Sequence, residues 1–280
     1  MKIGVPLFLL RPENMASVAR RAEELGFESV WLPEHLVFPT VIHSRYPYAD
    51  APPINPATPL LDPLVLLAQV AAMTSRIRIG TNVYILPLRH PVTAARMGVT
   101  LDIVSGGRFT FGVGAGWLRE EFDVVGIDFD SRGARLRECV RVLKSLWTES
   151  EPRIDGKFYS FGPVRFEPKP VQKPHPPIVF GGETPAALRR AAALGDGWYG
   201  VNHSPQSAAQ RVNELRQLLR EAGRASAPFE MTVSCGYPDL TADKVRAYGD
   251  AGIDRIVVLP WQRGRDAEEK LAALAKVLFG

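Results

Sequence analysis

Glu34 and His35 close the apolar run ESVWLP. An imidazole at the end of such a run can donate to a ring nitrogen or a carbonyl, or move a proton near neutral pH. The same histidine could instead satisfy a loop carbonyl. Further along, RIRIGTNVYI carries Gly80-Thr81-Asn82-Val83 and is followed by Pro87, Arg89, His90 and Pro91. Gly80 permits a bulge or a close approach; His90 either reaches the same site or prepares a helix start. The run RFTFGVG continues as Gly112-Val113-Gly114-Ala115-Gly116-Trp117. Its glycines let backbone lie against a flat ligand, and Trp117 could wall that ligand or be buried. The cluster lacks the full dinucleotide spacing and its acidic ribose partner. Glu120 and Glu121 are acid candidates, but within LREEF they read as a solvated helix edge. Finally, PIVFGG leads into Glu183-Thr184-Pro185. Two glycines before a capped helix start make an anion site, because free N–H groups and the positive helix end face the ligand. An ordinary tight turn is the alternative.

Other chemistries lack their residues. His43, His175 and His203 show no ligand spacing, there is no HExxH, and no metal is expected. Neither a GxSxG elbow nor a Walker lysine is present, so hydrolase and kinase readings have no support.

These candidates sit at the ends of short apolar runs that alternate with helical stretches. Eight units can be read, with strands at KIGVPLF, ESVWLP, RIRIGTNVYI, RFTFGVG, PIVFGG, GWYGV, FEMTVSC and RIVVLP. Met15, Val18, Ala22 and Leu25 form one helical stripe; Leu136, Val140, Leu143 and Trp147 form another. Proline marks helix starts at Pro12, Pro63, Pro91, Pro185 and Pro205, with Asp62, Thr184 and Ser204 as N-caps. Glycine marks helix ends at Gly26, Gly195, Gly223 and Gly252. This grammar predicts parallel strands with right-handed crossovers. Eight units favour one closed (β/α)8 barrel over an open sheet, with insertions on the C-terminal face at about 36–61 and 149–177. The first is a long proline-rich loop after the second strand, where barrels build their sites. The second reads as a hairpin, GKFYSF, and a proline-rich strap. Trp198 and Trp261 would line the mouth or the core.

The 280 residues suit one barrel domain, which typically needs about 250. Hydrophobic content of 46% and charged content of 23% are those of a globular enzyme, and the core needs no disulfide. Cys139 and Cys235 form no CxxC pattern and read as free thiols in a reducing, cytoplasmic setting. The net charge of +4 comes from scattered residues without a basic run, so nucleic acid is not an expected partner. The N-terminal apolar run is too short to span a membrane and reads as the first strand. The expected partner is a small-molecule substrate, and a homodimer is the assembly to look for.

The ordered segments FESVWLPEH, RIRIGTNVYILPLRHP, GRFTFGVGAGW, PPIVFGG and GDGW resemble the luciferase-like monooxygenase family, and look most like its deazaflavin-dependent branch. The similarity runs from Met1 to about Trp198 and weakens beyond. The resemblance implies a barrel whose mouth holds coenzyme F420 or FMN. It places the acid–histidine pair on Glu34 and His35. It puts a non-prolyl cis peptide at Asn82-Val83, behind the cofactor ring, with Thr81 beside it. It maps the glycine loop to Gly114, Ala115, Gly116 and Trp117, and the phosphate turn to Gly181, Gly182, Glu183 and Thr184. Sugar-phosphate dehydrogenases of that branch carry a Trp shortly after the histidine and a Glu ending the glycine loop. Here Phe38-Pro39 and Trp117 stand in those places, which argues against the same substrate and leaves the catalytic acid open. The tail of F420 would call for cations further out, and Arg89, Arg263 and Arg265 are candidates. The implied activity is hydride transfer between the deazaflavin and an organic substrate. Its rivals are an FMN-dependent monooxygenase fed by a separate flavin reductase, and a non-catalytic flavin-binding protein.

Overall fold

The computed structural model describes residues 1–49, 55–236 and 240–280. Part of the first insertion, residues 50–54, therefore lies outside the described residues.

Eight parallel strands form the centre: β1 (Lys2–Pro6), β2 (Ser29–Leu32), β3 (Arg78–Thr81), β4 (Phe109–Gly114), β5 (Ile178–Gly181), β6 (Gly197–Gly200), β7 (Glu230–Cys235) and β8 (Arg255–Val258). Each pairs with its neighbours in sequence. β1 pairs with β8 through Ile3 and Ile256, and β3 with β4 through Ile79 and Phe109, so the sheet closes. After β3 the chain breaks step at Asn82-Val83, then Tyr84–Ile85 pairs again with Val113 and Gly114 of β4. All eight runs read from the sequence are strands because their β-branched and aromatic residues are buried on both faces, as a covered parallel sheet requires.

The outer layer is α1 (Pro12–Glu24), α2 (Pro63–Met73), α3 (Pro91–Val104), α4 (Arg119–Val124), α5 (Arg132–Thr148), α6 (Pro185–Leu194), α7 (Pro205–Glu221), α8 (Ala242–Asp250) and α9 (Ala267–Phe279). Asp62, Thr184 and Ser204 accept from backbone N–H groups in the first turns of α2, α6 and α7. Gly26, Gly223 and Gly252 follow their helices with φ of 91°, 69° and 86°. Gly195 differs: it leaves α6 extended at φ −87°. A β-carbon there would stand 2.8 Å from the Phe180 ring, so its small size serves packing.

Only the first insertion reaches the mouth. The second joins a helix to a strand, so it leaves and returns at the N-terminal end. Its hairpin, Ile154–Asp155 against Ser160–Phe161, lies along the outside of α5, where Glu138 accepts from the N–H groups of Phe158 and Tyr159. The strap is tied to α3 by Asp102, which accepts from Val171 and Gln172.

Two features fill the barrel. Trp31, 1% exposed, lies inside against Tyr199 with ring centroids 5.6 Å apart, and its Nε1 donates to Ser29 Oγ. At the N-terminal end Arg255, also 1% exposed, donates through Nε and Nη2 to both oxygens of Glu28 at 2.8 Å. Its Nη1 binds Glu230, which Lys2 also contacts. Burial works to raise the Glu28 carboxyl, but Arg255 holds it below the usual carboxylate value.

Candidate active site

A cavity of about 990 Å3 opens at the C-terminal end of the strands. Of the residues singled out in the sequence, Glu34, His35, Asn82, Val83, Gly114 to Trp117 and Gly181 to Thr184 line it. Thr81 does not. Its side chain is fully buried and donates to Gly112 O at 2.7 Å, so it ties β3 to β4 beneath the site.

The floor of the cavity is the break after β3. The Asn82–Val83 peptide is cis. Val83 sends its side chain between two strands, where β-carbons on Gly114 and Gly181 would stand 2.5 and 2.8 Å from its methyls. These two glycines thus make room for the Val83 side chain as well as leaving backbone open to the cavity. Asn82 Nδ2 donates to the Tyr199 hydroxyl at 3.1 Å, while its Oδ1 is buried without a partner among the described residues. Tyr199 was not anticipated as a site residue, although its GWYGV strand was. Burial drives its phenol far above the ordinary range.

Glu34 lies behind this break, 4% exposed. Its Oε2 accepts from Ile85 N at 2.6 Å, and its Oε1 pairs with Arg89. Burial pushes the carboxyl up to about 7, against the pull of Arg89. Arg89 is held further by Asp62 at 3.6 Å and by the Tyr84 ring at 4.2 Å. It therefore does not reach out along the mouth, which corrects its assignment to a cofactor tail. Arg263 and Arg265 both pair with Asp266 and do not line the cavity, so they are corrected as well. Arg45, Arg119, Arg132 and Arg190 line it instead.

His35 faces the cavity in a ring-lined bay. Its ring centroid is 4.5 Å from Phe38 and 5.8 Å from Trp117, and Trp117 in turn meets Tyr46 at 5.1 Å. Nδ1 lies 3.0 Å from Glu121 Oε2. Glu121, expected on a solvated helix edge, is 0% exposed. Glu120 accepts from Ser44 Oγ at 2.6 Å and from His43 N and Ser44 N at 2.6 and 2.9 Å; against its burial these hydrogen bonds, the hydroxyl's foremost, bring its carboxyl down to about 2. The expected solvated edge thus binds the covering loop.

On the opposite side, Gly182 turns the chain at φ +116° into α6, whose N-cap is Thr184. Trp198 is core and donates to Gly182 O at 3.1 Å, fixing the turn from below. Glu183 lines the cavity, but its carboxylate is engaged with Val201 N and His203 at 3.0 and 3.1 Å. Arg190, one turn along α6 from Ala186, has a buried Nε with no partner among the described residues. Burial and the neighbouring Arg137, Arg132 and Arg189 all press its pKa down. Arg132 donates to Gly116 O at 3.2 Å and stacks on Phe129. His90 is a helix cap: its Nδ1 accepts from Val92 N at 3.3 Å. Trp261 is core and donates to Phe8 O.

The closed barrel carries a cis peptide at the end of β3, a histidine after β2, and a glycine turn opening onto α6. The family model of the luciferase-like monooxygenases matches residues 8–248, and the chain belongs to that family. An uncharacterised protein of Mycobacterium tuberculosis, Rv0953c, is 34% identical over 98% of both chains. An F420-dependent glucose-6-phosphate dehydrogenase of Kineococcus radiotolerans is 31% identical over 79% of this chain and 63% of its own length. Among solved structures, the monooxygenase RslO1 of Streptomyces bottropensis superposes with a TM-score of 0.78 at 25% identity, covering 99% of this chain and 98% of its own. Among the described residues no helix is long and apolar enough to cross a membrane.

Proposed function

We propose that the protein is an F420-dependent oxidoreductase that moves a hydride between the deazaflavin and an uncharged organic small molecule. The observation that carries this reading is the arginine group beside the Gly182 turn. Arg132 and Arg190 repel each other there, and Arg190 Nε is buried and unpartnered among the described residues. Unpaired buried polar atoms are costly, and an anion relieves both the desolvation and the repulsion. A ribityl phosphate fits the turn and the α6 N-terminus. The additional arginines suit a ligand that carries more negative charge beyond that phosphate, as F420 does and FMN does not.

The remaining residues fit a flat tricyclic ring. Val83 would back it, the unpartnered Asn82 Oδ1 offers an acceptor to a ring N–H, and the backbone from Gly114 to Gly116 flanks it. When bound, a deazaflavin supplies the hydride donor or acceptor. The protein orients the substrate in the bay of Phe38, Tyr46 and Trp117, excludes water with the covering loop, and holds or moves a proton at His35 Nε2. The F420-dependent relative supports this reading; its sugar-phosphate substrate does not transfer, because the bay beside His35 is aromatic.

The expected result of titrating apo-protein at fixed ionic strength is tighter binding of F420 than of FMN, with the difference narrowed by Arg190→Met and by salt. Gly182→Val should raise the Kd of either cofactor about tenfold or more, ~1.4 kcal/mol. Its side chain would sit at φ +116° with the β-carbon 2.9 Å from Ala187 Cβ. Unchanged affinity in that variant would remove the phosphate from this turn.

Likeness to RslO1 over the whole chain supports a second reading, an FMN-dependent monooxygenase served by a flavin reductase. Tighter FMN binding with oxygen-dependent turnover would establish it. A non-catalytic flavin-binding protein is less well supported, since the cavity is open and not filled by side chains.

A further inference from the structure

We propose that Glu121 is a positioning residue whose buried carboxylate fixes the tautomer of His35 and anchors the root of the covering loop in one stroke. The inference rests on the reading of His35 as the group at the reacting atoms. Glu121 belongs to the six-residue helix α4, which follows β4, two strands around the barrel from β2. Its two oxygens face three donors. Oε2 takes His35 Nδ1 at 3.0 Å, while Oε1 accepts from Leu36 N and, at 3.4 Å, from Val37 N.

An ionised carboxylate only accepts, so the shared proton sits on Nδ1. In the neutral ring Nε2 then carries the lone pair, and it has no protein partner among the described residues. Phe38 and Trp117 hold the ring from two sides. With Nδ1 tethered, Nε2 is the nitrogen left for a ligand in the cavity that His35 lines. A substrate hydroxyl can donate to it, and after protonation it can donate to a carbonyl.

The same carboxylate grips the backbone of the next two residues. The adjacent Glu120 separates the two roles. It binds the loop further along, at His43 and Ser44, and does not touch His35.

Glu121→Gln tests this. A carboxamide offers one acceptor oxygen and one amino donor to three donors, so it cannot serve all of them. Long-range 15N–1H spectra at about pH 9, where an ordinary histidine is neutral, report the tautomer directly. The His35 signals are identified by their absence in His35→Gln. The expected wild-type result is a proton on Nδ1. In Glu121→Gln one of two changes should follow: with the amide nitrogen toward Nδ1 the His35 proton moves to Nε2, and with the amide oxygen toward Nδ1 amide exchange at Leu36 and Val37 rises about tenfold. Glu120→Gln should raise exchange at His43 and Ser44 and leave the His35 tautomer unchanged. A wild-type proton on Nε2 overturns the proposal, as does a Glu121→Gln protein with unaltered tautomer and exchange. If Glu121→Gln does not fold, the wild-type spectrum alone decides. None of these readouts needs cofactor or turnover, so failure of the cofactor assignment leaves the test intact.

Discussion

Replacing Arg255 with methionine is expected to cost about 3–5 kcal/mol of stability, the usual penalty for removing one partner of a buried ion pair. Arg255 is 1% exposed and is the cation shared by Glu28 and Glu230. Without it two carboxylates at the bottom of the barrel face each other with Lys2 and Arg78 left nearby, neither in Arg255's bidentate position. Denaturant unfolding measures the loss. A cost under about 1 kcal/mol would mean that water reaches these groups and that the pair is worth no more than a surface bridge. The acid limb gives a second signature. Because Arg255 keeps the folded-state pKa of Glu28 below its unfolded value, the pair stabilises fully above about pH 4.3. That contribution fades as pH falls through the lower folded value. In the variant it should be absent, leaving a shallower decline in acid.

The second large effect is expected at the mouth. His35→Ala should lower turnover about 100- to 10,000-fold, the range for loss of a general acid or base. The thermal midpoint should barely move, because Glu121 still accepts from Leu36 and Val37. Single-turnover change of the cofactor's visible absorbance with an accepted substrate reads the first effect, and calorimetry the second. Intact turnover, or an unfolded variant, would return His35 to the scaffold.

The contrast between these residues shows what a linear reading can reach. Strands and helix starts were legible because their signals are local. A Thr184-Pro185 or Ser204-Pro205 pair specifies a cap within four residues. The position of His35 was legible for the same reason, since it terminates a strand. Its partner was not. Glu121 lies 86 residues away, in a stretch whose charge pattern is that of a wet helix, and only barrel closure brings it beside the imidazole. The arginines follow the same rule. Arg89 follows a strand, as a tail-binding cation would, yet Glu34 and Asp62 claim it. Arg132 and Arg190 sit on helices and gave no local sign that the mouth would gather them.

The space around Val83 has a consequence for how this protein can change over generations. Positions 83, 114 and 181 share one small volume, because a β-carbon on either glycine meets the valine methyls. Closely packed neighbours do not contribute independently. A lineage can therefore enlarge position 114 or 181 only after position 83 has shrunk, and the reverse order passes through a damaged ancestor. The three sites are therefore expected to change together, although they lie on three different segments of the chain.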